Sequence, residues 1–351
     1  MTNGKFPLHR LPTNAIINVL RIMDGDQLIS YSLISRGTKQ NVINLKIKVR
    51  FFAVSISSKL EIDLTFSEDY QVSLTFDENQ TLNWNPAENE PLRLDNPVNV
   101  EVKCYEDYEP EYKGMLILKN RGLSVREWIL HLFDIFHHSL IYSLRFTDES
   151  NRYDIGFIRE TVESLDVDGM GFHRLPLDDC YKFMVETDKF TRRITLDSDL
   201  EPVEFLHKVV IQNTKNTMFH SKLLTPEDSI PFRLNDALLN NSENIHMYCT
   251  VASDNDLNYF LKLWMKGSNQ RLKYMEVGYT FGGEKDQLAI MKDIRHRVMG
   301  RDEQRHRPFP IIESRIVVAS GGAFVIRRYN GVEATVSFFP RANFMEFVVW
   351  D

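Results

Sequence analysis

The sequence predicts an α+β fold in four parts: three short N-terminal helices, a small antiparallel β region, an irregular α/β stretch and a closing run of antiparallel strands. Three observations predict it. Apolar residues recur at helical spacing before residue 45. They alternate with period two from Ile47 to residue 122, and then fall into strand-like and helix-like segments in turn. The boundaries are therefore placed at 1–45, 46–122, 123–300 and 301–351, and 351 residues suffice for two or three separate cores.

In the first part, Leu11-Pro12 opens a helix in which Ile16, Val19, Leu20 and Met23 sit at i, i+3, i+4 and i+7, one stripe on one face. Thr13 or Asn14 is positioned to cap it. Asp24-Gly25-Asp26 breaks the helix, and a second short one follows with Leu28, Ile29 and Leu33. A third through Arg36–Val42 is weakened by Gly37, Thr38 and Asn41. Two short helices this apolar are hard to bury within so small a unit, so a docking surface for another protein is expected. Burying the four stripe residues is worth about 6–12 kcal/mol, against an association cost of about 4–15 kcal/mol. Leu11, Pro12, Leu28 and Leu33 must therefore share in that surface, part of which packs on the protein's own next domain.

Leu60-Ile62-Leu64-Phe66, Val72-Leu74-Phe76, Val98-Val100-Val102 and Met115-Ile117 alternate as strands of a sheet solvated on one face. Residues 79–97 read as a loop, in which Trp84 is a contact residue or folds back on the sheet. Beyond Gly122, Ser124 starts a helix carrying Trp128, Leu132 and Phe136. Ile141–Phe146 is a strand, and Asp154 caps a helix with Ile155, Ile158, Val162 and Leu165. Strands are expected at Arg193–Leu196, Lys208–Gln212, Asn244–Cys249 and Leu272–Val277. Ser253 and Asp256 form a capping box before Leu257, Phe260, Leu261 and Trp264, and Gly267 falls at the C-cap. Strand–helix–strand units near leucine-rich-repeat length suggest an irregular solenoid. A helix over Lys285–Met299 precedes strands at Ile311–Ala319, Phe324–Arg328, Ala334–Phe339 and Phe344–Val349, with Asn330-Gly331 marking a hairpin.

The sequence carries no recognisable catalytic motif. There is no phosphate-binding Gly-x-x-x-x-Gly-Lys, Gly169-Met170-Gly171 lacks a third glycine, and no Gly-x-Ser-x-Gly, Cys-x-x-Cys or His-Glu-x-x-His occurs. Neither cofactor nor metal is expected, and a hydrolytic enzyme is the least favoured class. His137 and His138 diverge by about 100° on a helix and read as a helix-end pair. Cys104, Cys180 and Cys249 are widely spaced and odd in number, as in a reducing compartment. A net charge of −7 argues against nucleic acid and anionic membranes as partners. No run approaches the roughly 18–20 apolar residues of a membrane span, so a cytoplasmic or nuclear protein is expected. The basic cluster from Arg295 to Arg307 is most simply a solvated helix end. Arg297, Arg301 and Arg305 within it are the candidates for an acidic or phosphorylated target.

The opening segment resembles the F-box, the adaptor-binding module of SCF-type cullin–RING ubiquitin ligases. Leu11-Pro12, Ile16, Val19, Leu20, Met23-Asp24, Leu28, Leu33 and Ser35-Arg36 carry the resemblance. Gly37-Thr38-Lys39 stands where many F-boxes place a tryptophan, which implies weaker contacts from the third helix. The remainder resembles the type 2 F-box-associated domain of a large nematode family of F-box proteins. It does so through Arg152–Thr161, Val210-Ile211-Gln212-Asn213, and above all Leu257–Asn269 with Leu263-Trp264-Met265-Lys266-Gly267-Ser268-Asn269. The resemblance implies a non-catalytic substrate receptor. A Skp-type adaptor, and through it a cullin, would bind Leu11, Pro12, Ile16, Val19, Leu20, Met23, Leu28 and Leu33, and the C-terminal domain would hold a target protein. The alternative is an interaction module that has lost its coupling to the ligase.

Overall fold

The computed structural model describes residues 11–77, 90–106, 114–147, 149–173, 175, 179, 182–184, 192–197, 213–220, 234–250, 252–279, 285–308, 316–339 and 343–350. The chain divides into two compact units, residues 1–145 with 149–168, and residues 146–148 with 169–351.

The first unit begins with three eight-residue helices, α1 (Thr13–Leu20), α2 (Gly25–Ser32) and α3 (Arg36–Ile43). Strands follow at β1 (Phe51–Ile56), β2 (Leu60–Thr65), β3 (Tyr70–Asp77), β4 (Asn99–Glu106) and β5 (Gly114–Lys119). After α4 (Val125–Ile135) come β6 (Leu140–Ile141), β7 (Ser143–Phe146), α5 (Ile155–Val162) and β8 (Asp166–Val167). β1 to β5 pair antiparallel in chain order, with Ile62 opposite both Val54 and Leu74, and Leu74 opposite Val102. The alternation seen in the sequence is therefore the two faces of this sheet. Phe52, Ile62, Leu64, Val72, Leu74, Val100 and Val102 form its buried side.

That face needs a cover, and α4 provides it. Ser124 caps the helix by accepting from the Glu127 N–H, while the Glu127 carboxylate accepts from the Ser124 N–H. Its apolar stripe then meets the sheet, with Phe133 edge-on to Phe52 at 4.7 Å and Trp128 edge-on to Phe76 at 6.0 Å. The helix ends where His137 takes a left-handed φ of 49°, and Nε2 of that residue bonds the carbonyl of Ile43 at 2.7 Å. The histidine pair is thus a helix-end device. His138 stacks on Phe52 with ring centroids 5.8 Å apart.

α2 reaches the same sheet through Gly25. Its N–H donates to the Tyr70 hydroxyl at 2.7 Å, and a Cβ there would lie 2.9 Å from Val72 Cγ2. The glycine that reads as a helix breaker is a close-approach point at the start of the helix. Neither Thr13 nor Asn14 caps α1. Pro12 occupies the cap position without a side-chain bond, and its carbonyl accepts from Ala15 and Ile16. α3 is capped by Ser35 and Thr38 acting reciprocally.

The second unit carries β9 (Gly169–Phe172), β10 (Arg193–Asp197), β11 (Asn216–His220), α6 (Leu234–Leu239), β12 (Asn244–Thr250), α7 (Asp254–Met265), β13 (Tyr274–Tyr279) and α8 (Gln287–Ile290). It closes with β14 (His296–Val298), β15 (Arg305–Pro308), β16 (Ile316–Ala319), β17 (Phe324–Arg327), β18 (Glu333–Phe339) and β19 (Phe344–Trp350). β9 to β13 run parallel in chain order, and β13 then pairs antiparallel with β19, Met275 opposite Phe347. β18, β17 and β14 continue the sheet antiparallel, and β15 with β16 forms a separate ribbon. α7 lies on the apolar face, where Phe260 and Trp264 pack edge-on against Phe347 at 5.7 and 5.1 Å. Its Ser253–Asp256 capping box and the Asn330-Gly331 turn, with Gly331 at φ +94°, stand where the sequence places them.

The expected fold class is corrected. A three-helix module followed by a leucine-rich-repeat-like α/β domain and separate C-terminal strands is not what forms. Among the described residues the second unit carries one mixed sheet of β9 to β13 with β19, β18, β17 and β14, the first unit a sheet of β1 to β5, and helices are few and short. The reason is pairing. The edge of β13 is taken by β19, so the segments read as an irregular solenoid and a separate meander are parts of one sheet. A second correction concerns Lys285–Met299, where α8 stops at Ile290. The Asn258 side chain takes the carbonyls of Ile290 and Lys292, Asp293 turns left-handed at φ 59°, and His296–Val298 pairs with β17. The expected strand at Lys208–Gln212 lies outside the described residues, as do Trp84, Cys180 and the Cys249 side chain.

Gly25→Ala should destabilise the first unit by about 1–3 kcal/mol through overpacking against Val72 and Tyr70. Urea unfolding followed by tryptophan fluorescence measures this, and Gly37→Ala, whose nearest neighbour is 3.8 Å away, is the control.

Candidate interaction surfaces

The residues named for adaptor binding divide in the structure. Ile16, Leu20 and Leu28 are buried in their own unit at 8%, 0% and 2% exposure. Leu11, Val19, Met23 and Leu33 are partly exposed, and Pro12 is exposed. Two residues that the stripe omits are far more open: Ile22 at 83% and Ile34 at 58%. Helical spacing misplaced them because α1 ends at Leu20, after which the chain turns through bonds from Ile22 to Val19 and from Met23 to Leu20. Both lie at helix ends, which is the signal that could have found them.

Polar contacts fix this segment to the rest of its unit. The Ser32 hydroxyl donates to the Ile29 carbonyl at 2.6 Å and so accepts from His131 Nε2 of α4 at 2.7 Å. Lys39 pairs with Asp134 at 2.6 Å, and Arg121 donates to the Leu33 carbonyl at 3.2 Å. Burial, with Lys39 nearby, pushes the His131 imidazole down to about 4. The ring is therefore neutral at neutral pH, its Nε2 carrying the proton given to Ser32.

In the second unit, the face of the sheet opposite α7 is polar. On that face Asn244 donates to Asn216 at 2.8 Å across β11 and β12; Thr217, one residue along and so on the α7 side, joins Thr214 and Ser242 in hydroxyl bonds of 2.5 to 3.0 Å. The segments Asn213-Thr214-Lys215-Asn216 and Asn241-Ser242-Glu243-Asn244 are equivalent, a short repeat that sequence reading missed although its pattern is visible there. Further along the strands, His246 Nδ1 stands 3.4 Å from Glu276, which is directly opposite Glu346 in the register. The Tyr274 hydroxyl lies 3.1 Å from Glu276 and 3.0 Å from Glu346. Burial, then the two carboxylates, drive its pKa far upward, so the hydroxyl keeps its proton and remains a donor between them.

Asn269 secures the neighbouring turn. At φ 49°, its side-chain amide donates to the carbonyls of Ala237 and Asn240, each at 3.0 Å, and so closes the end of α6. Arg328 stacks over Trp264 at 4.4 Å and donates to the carbonyls of Ser268 and Asn269. The Trp264–Asn269 motif is thus explained by packing and turn geometry.

The basic cluster is largely satisfied internally. Arg297 grips Glu303 with two bonds of 2.6 and 3.0 Å, and Arg305 pairs with Glu333 at 2.8 Å. Arg307 donates to the carbonyls of Lys273 and Val349. Among the described residues Arg301 has no acidic partner. Nor do those residues include a group of three or more His, Cys, Asp and Glu placed to hold a metal ion, or a helix long and apolar enough to cross a membrane.

Residues 205–277 match the model of the F-box associated family. The match covers about a fifth of the chain and contains β11, β12, α6, α7, the Asn216–Asn244 pair and the Trp264–Asn269 motif. An F-box-associated segment therefore lies in the second unit. No curated protein matches the chain.

Charging His131 opposes folding, because its pKa is lower in the folded unit than the ordinary 6.5. Stability of the first unit should be flat above about pH 6.5, then fall as the pH drops toward about 4. His131→Gln should remove part of that slope, to which His138, also held down by burial, contributes, while Glu61, held up by burial, works against it. Urea midpoints measured across this range check it.

Proposed function

We propose that the protein is the substrate-recognition subunit of an SCF-type cullin–RING ubiquitin ligase. The F-box associated match at residues 205–277 carries this reading, since that segment implies a substrate-binding role in general. The N-terminal apolar surface supports it. Segment 11–43 presents Ile22, Ile34 and the partly exposed Leu11, Val19, Met23 and Leu33 to a Skp-type adaptor, and through the adaptor to a cullin. Ile16, Leu20 and Leu28 serve that surface from below by holding it on the sheet. The second unit offers the polar strand face and its surroundings to a target protein. The subunit itself performs no chemistry, needs no cofactor, and works in the cytoplasm or nucleus.

A second reading, an interaction module uncoupled from a ligase, is favoured by Gly37-Thr38-Lys39 standing where many F-boxes have a tryptophan. Calorimetric titration with a Skp-type adaptor separates the two. The receptor reading predicts a complex at micromolar concentration or tighter. It also predicts that Ile22→Lys with Ile34→Lys weakens the complex by about 3 kcal/mol, roughly 100-fold. No complex with the unmodified chain would favour the uncoupled module, and undiminished binding by the double variant would contradict the surface named here.

A further inference from the structure

β5 ends the sheet of the first unit. β4 runs along one of its edges, and among the described residues no strand runs along the other. Its side chains show the same openness. The inward residues of β2, β3 and β4 from Leu60 to Val102 are at most 1% exposed, whereas Leu116 and Leu118 of β5 are only partly buried. On the outer face Met115 is 49% and Ile117 59% exposed, and Val98, just before β4, is 57% exposed.

Sheet edges are commonly protected by charge, proline, a bulge or a covering element. Residues 114–118 carry no charge and no proline, and they pair with β4 in unbroken register from Gly114 to Lys119. An added strand would complete both faces at once. Its backbone would use the outward N–H and C=O groups of β5, and its alternate side chains would lie beside Leu116 and Leu118 on one face and beside Met115 and Ile117 on the other.

We propose that β5 is a strand-addition site for an extended peptide of a target protein, with apolar residues in alternation and an acidic residue beside Lys119. Area argues against a second copy of the chain. Six residues of edge span about 20 Å, and a sheet is about 10 Å thick. That gives roughly 200 Å² per partner, far short of the ~1,200 Å² total at which stable protein pairs begin. Charge argues for the acidic residue. Lys103 is already paired with Glu101 at 3.2 Å, which among the described residues leaves the exposed Lys119 as the cation at this edge. The proposal deepens the receptor reading, on which it rests for what the peptide belongs to.

The test pans a random-peptide phage library against the full chain and against the Met115→Lys/Ile117→Lys chain, with circular dichroism confirming that both fold alike. Selected peptides should alternate apolar residues and bind the unmodified chain at least about tenfold more tightly than the variant, the weight of one apolar contact. Alternate β5 amides should slow in hydrogen exchange on binding. Lys119→Glu should shift selection from an acidic to a basic end residue. Failure to select such peptides, or equal binding to both chains, overturns the proposal. So does a dimer of the free chain that the double substitution dissolves, which would assign the edge to a second copy. Adaptor titration of the same double variant keeps the two readings apart. Intact adaptor binding without the peptide effect sinks this proposal alone, and a peptide effect without adaptor binding sinks the ligase reading alone.

Discussion

The first unit depends on covering one apolar sheet face. Five antiparallel strands bury Phe52, Ile62, Leu74, Val102 and their neighbours on one side only, and such a sheet is unstable with that side wet. α4 covers it through Phe133 on Phe52 and Trp128 on Phe76, and α2 reaches it at Gly25, where a Cβ would crowd Val72. Helices of eight residues are marginal by themselves. The N-terminal segment therefore takes its order from the sheet it helps to cover, and its contacts with Tyr70, His131 and Asp134 are what hold Ile22 and Ile34 outward.

The second unit solves a different problem, since parallel strands bury polar backbone ends and need both faces managed. One face is filled by α7, with Trp264 and Phe260 on Phe347. The other satisfies itself with side-chain pairs, Asn216 with Asn244 and Tyr274 between two glutamates. Paired polar groups of this kind are costly to break, because any one left alone in the interior loses its water as well as its partner. They give the F-box-associated segment a rigid frame on which surface residues can be displayed.

Much of this was legible locally. Ser124, Asp154 and Ser253 announce their helices because a cap is a short-range bond between a side chain and a backbone N–H three residues on. The alternation from Leu60 to Phe76 and the Asn330-Gly331 turn are equally local. The partner of each strand was not legible. Nothing near Tyr274 says that its neighbour is Val348, and without that pairing the C-terminal strands look like a separate meander. The expected helix over Lys285–Met299 stops at Ile290, because Asn258 and the left-handed Asp293 turn the chain toward His296–Val298, and no local spacing announces that turn. The docking surface was half legible: the stripe located the segment, but Ile16, Leu20 and Leu28 went inward and Ile22 outward once α1 stopped at Leu20.

The central claim is that the N-terminal helices are part of the core of the first unit as well as its presented surface. Hydrogen exchange on a chain lacking residues 1–45 measures this directly. Amides of β3, β4 and α4 should lose most of their protection while those of β12 and β13 keep theirs. Unchanged protection throughout the first unit would show that the segment is an independent attachment, and would contradict the claim.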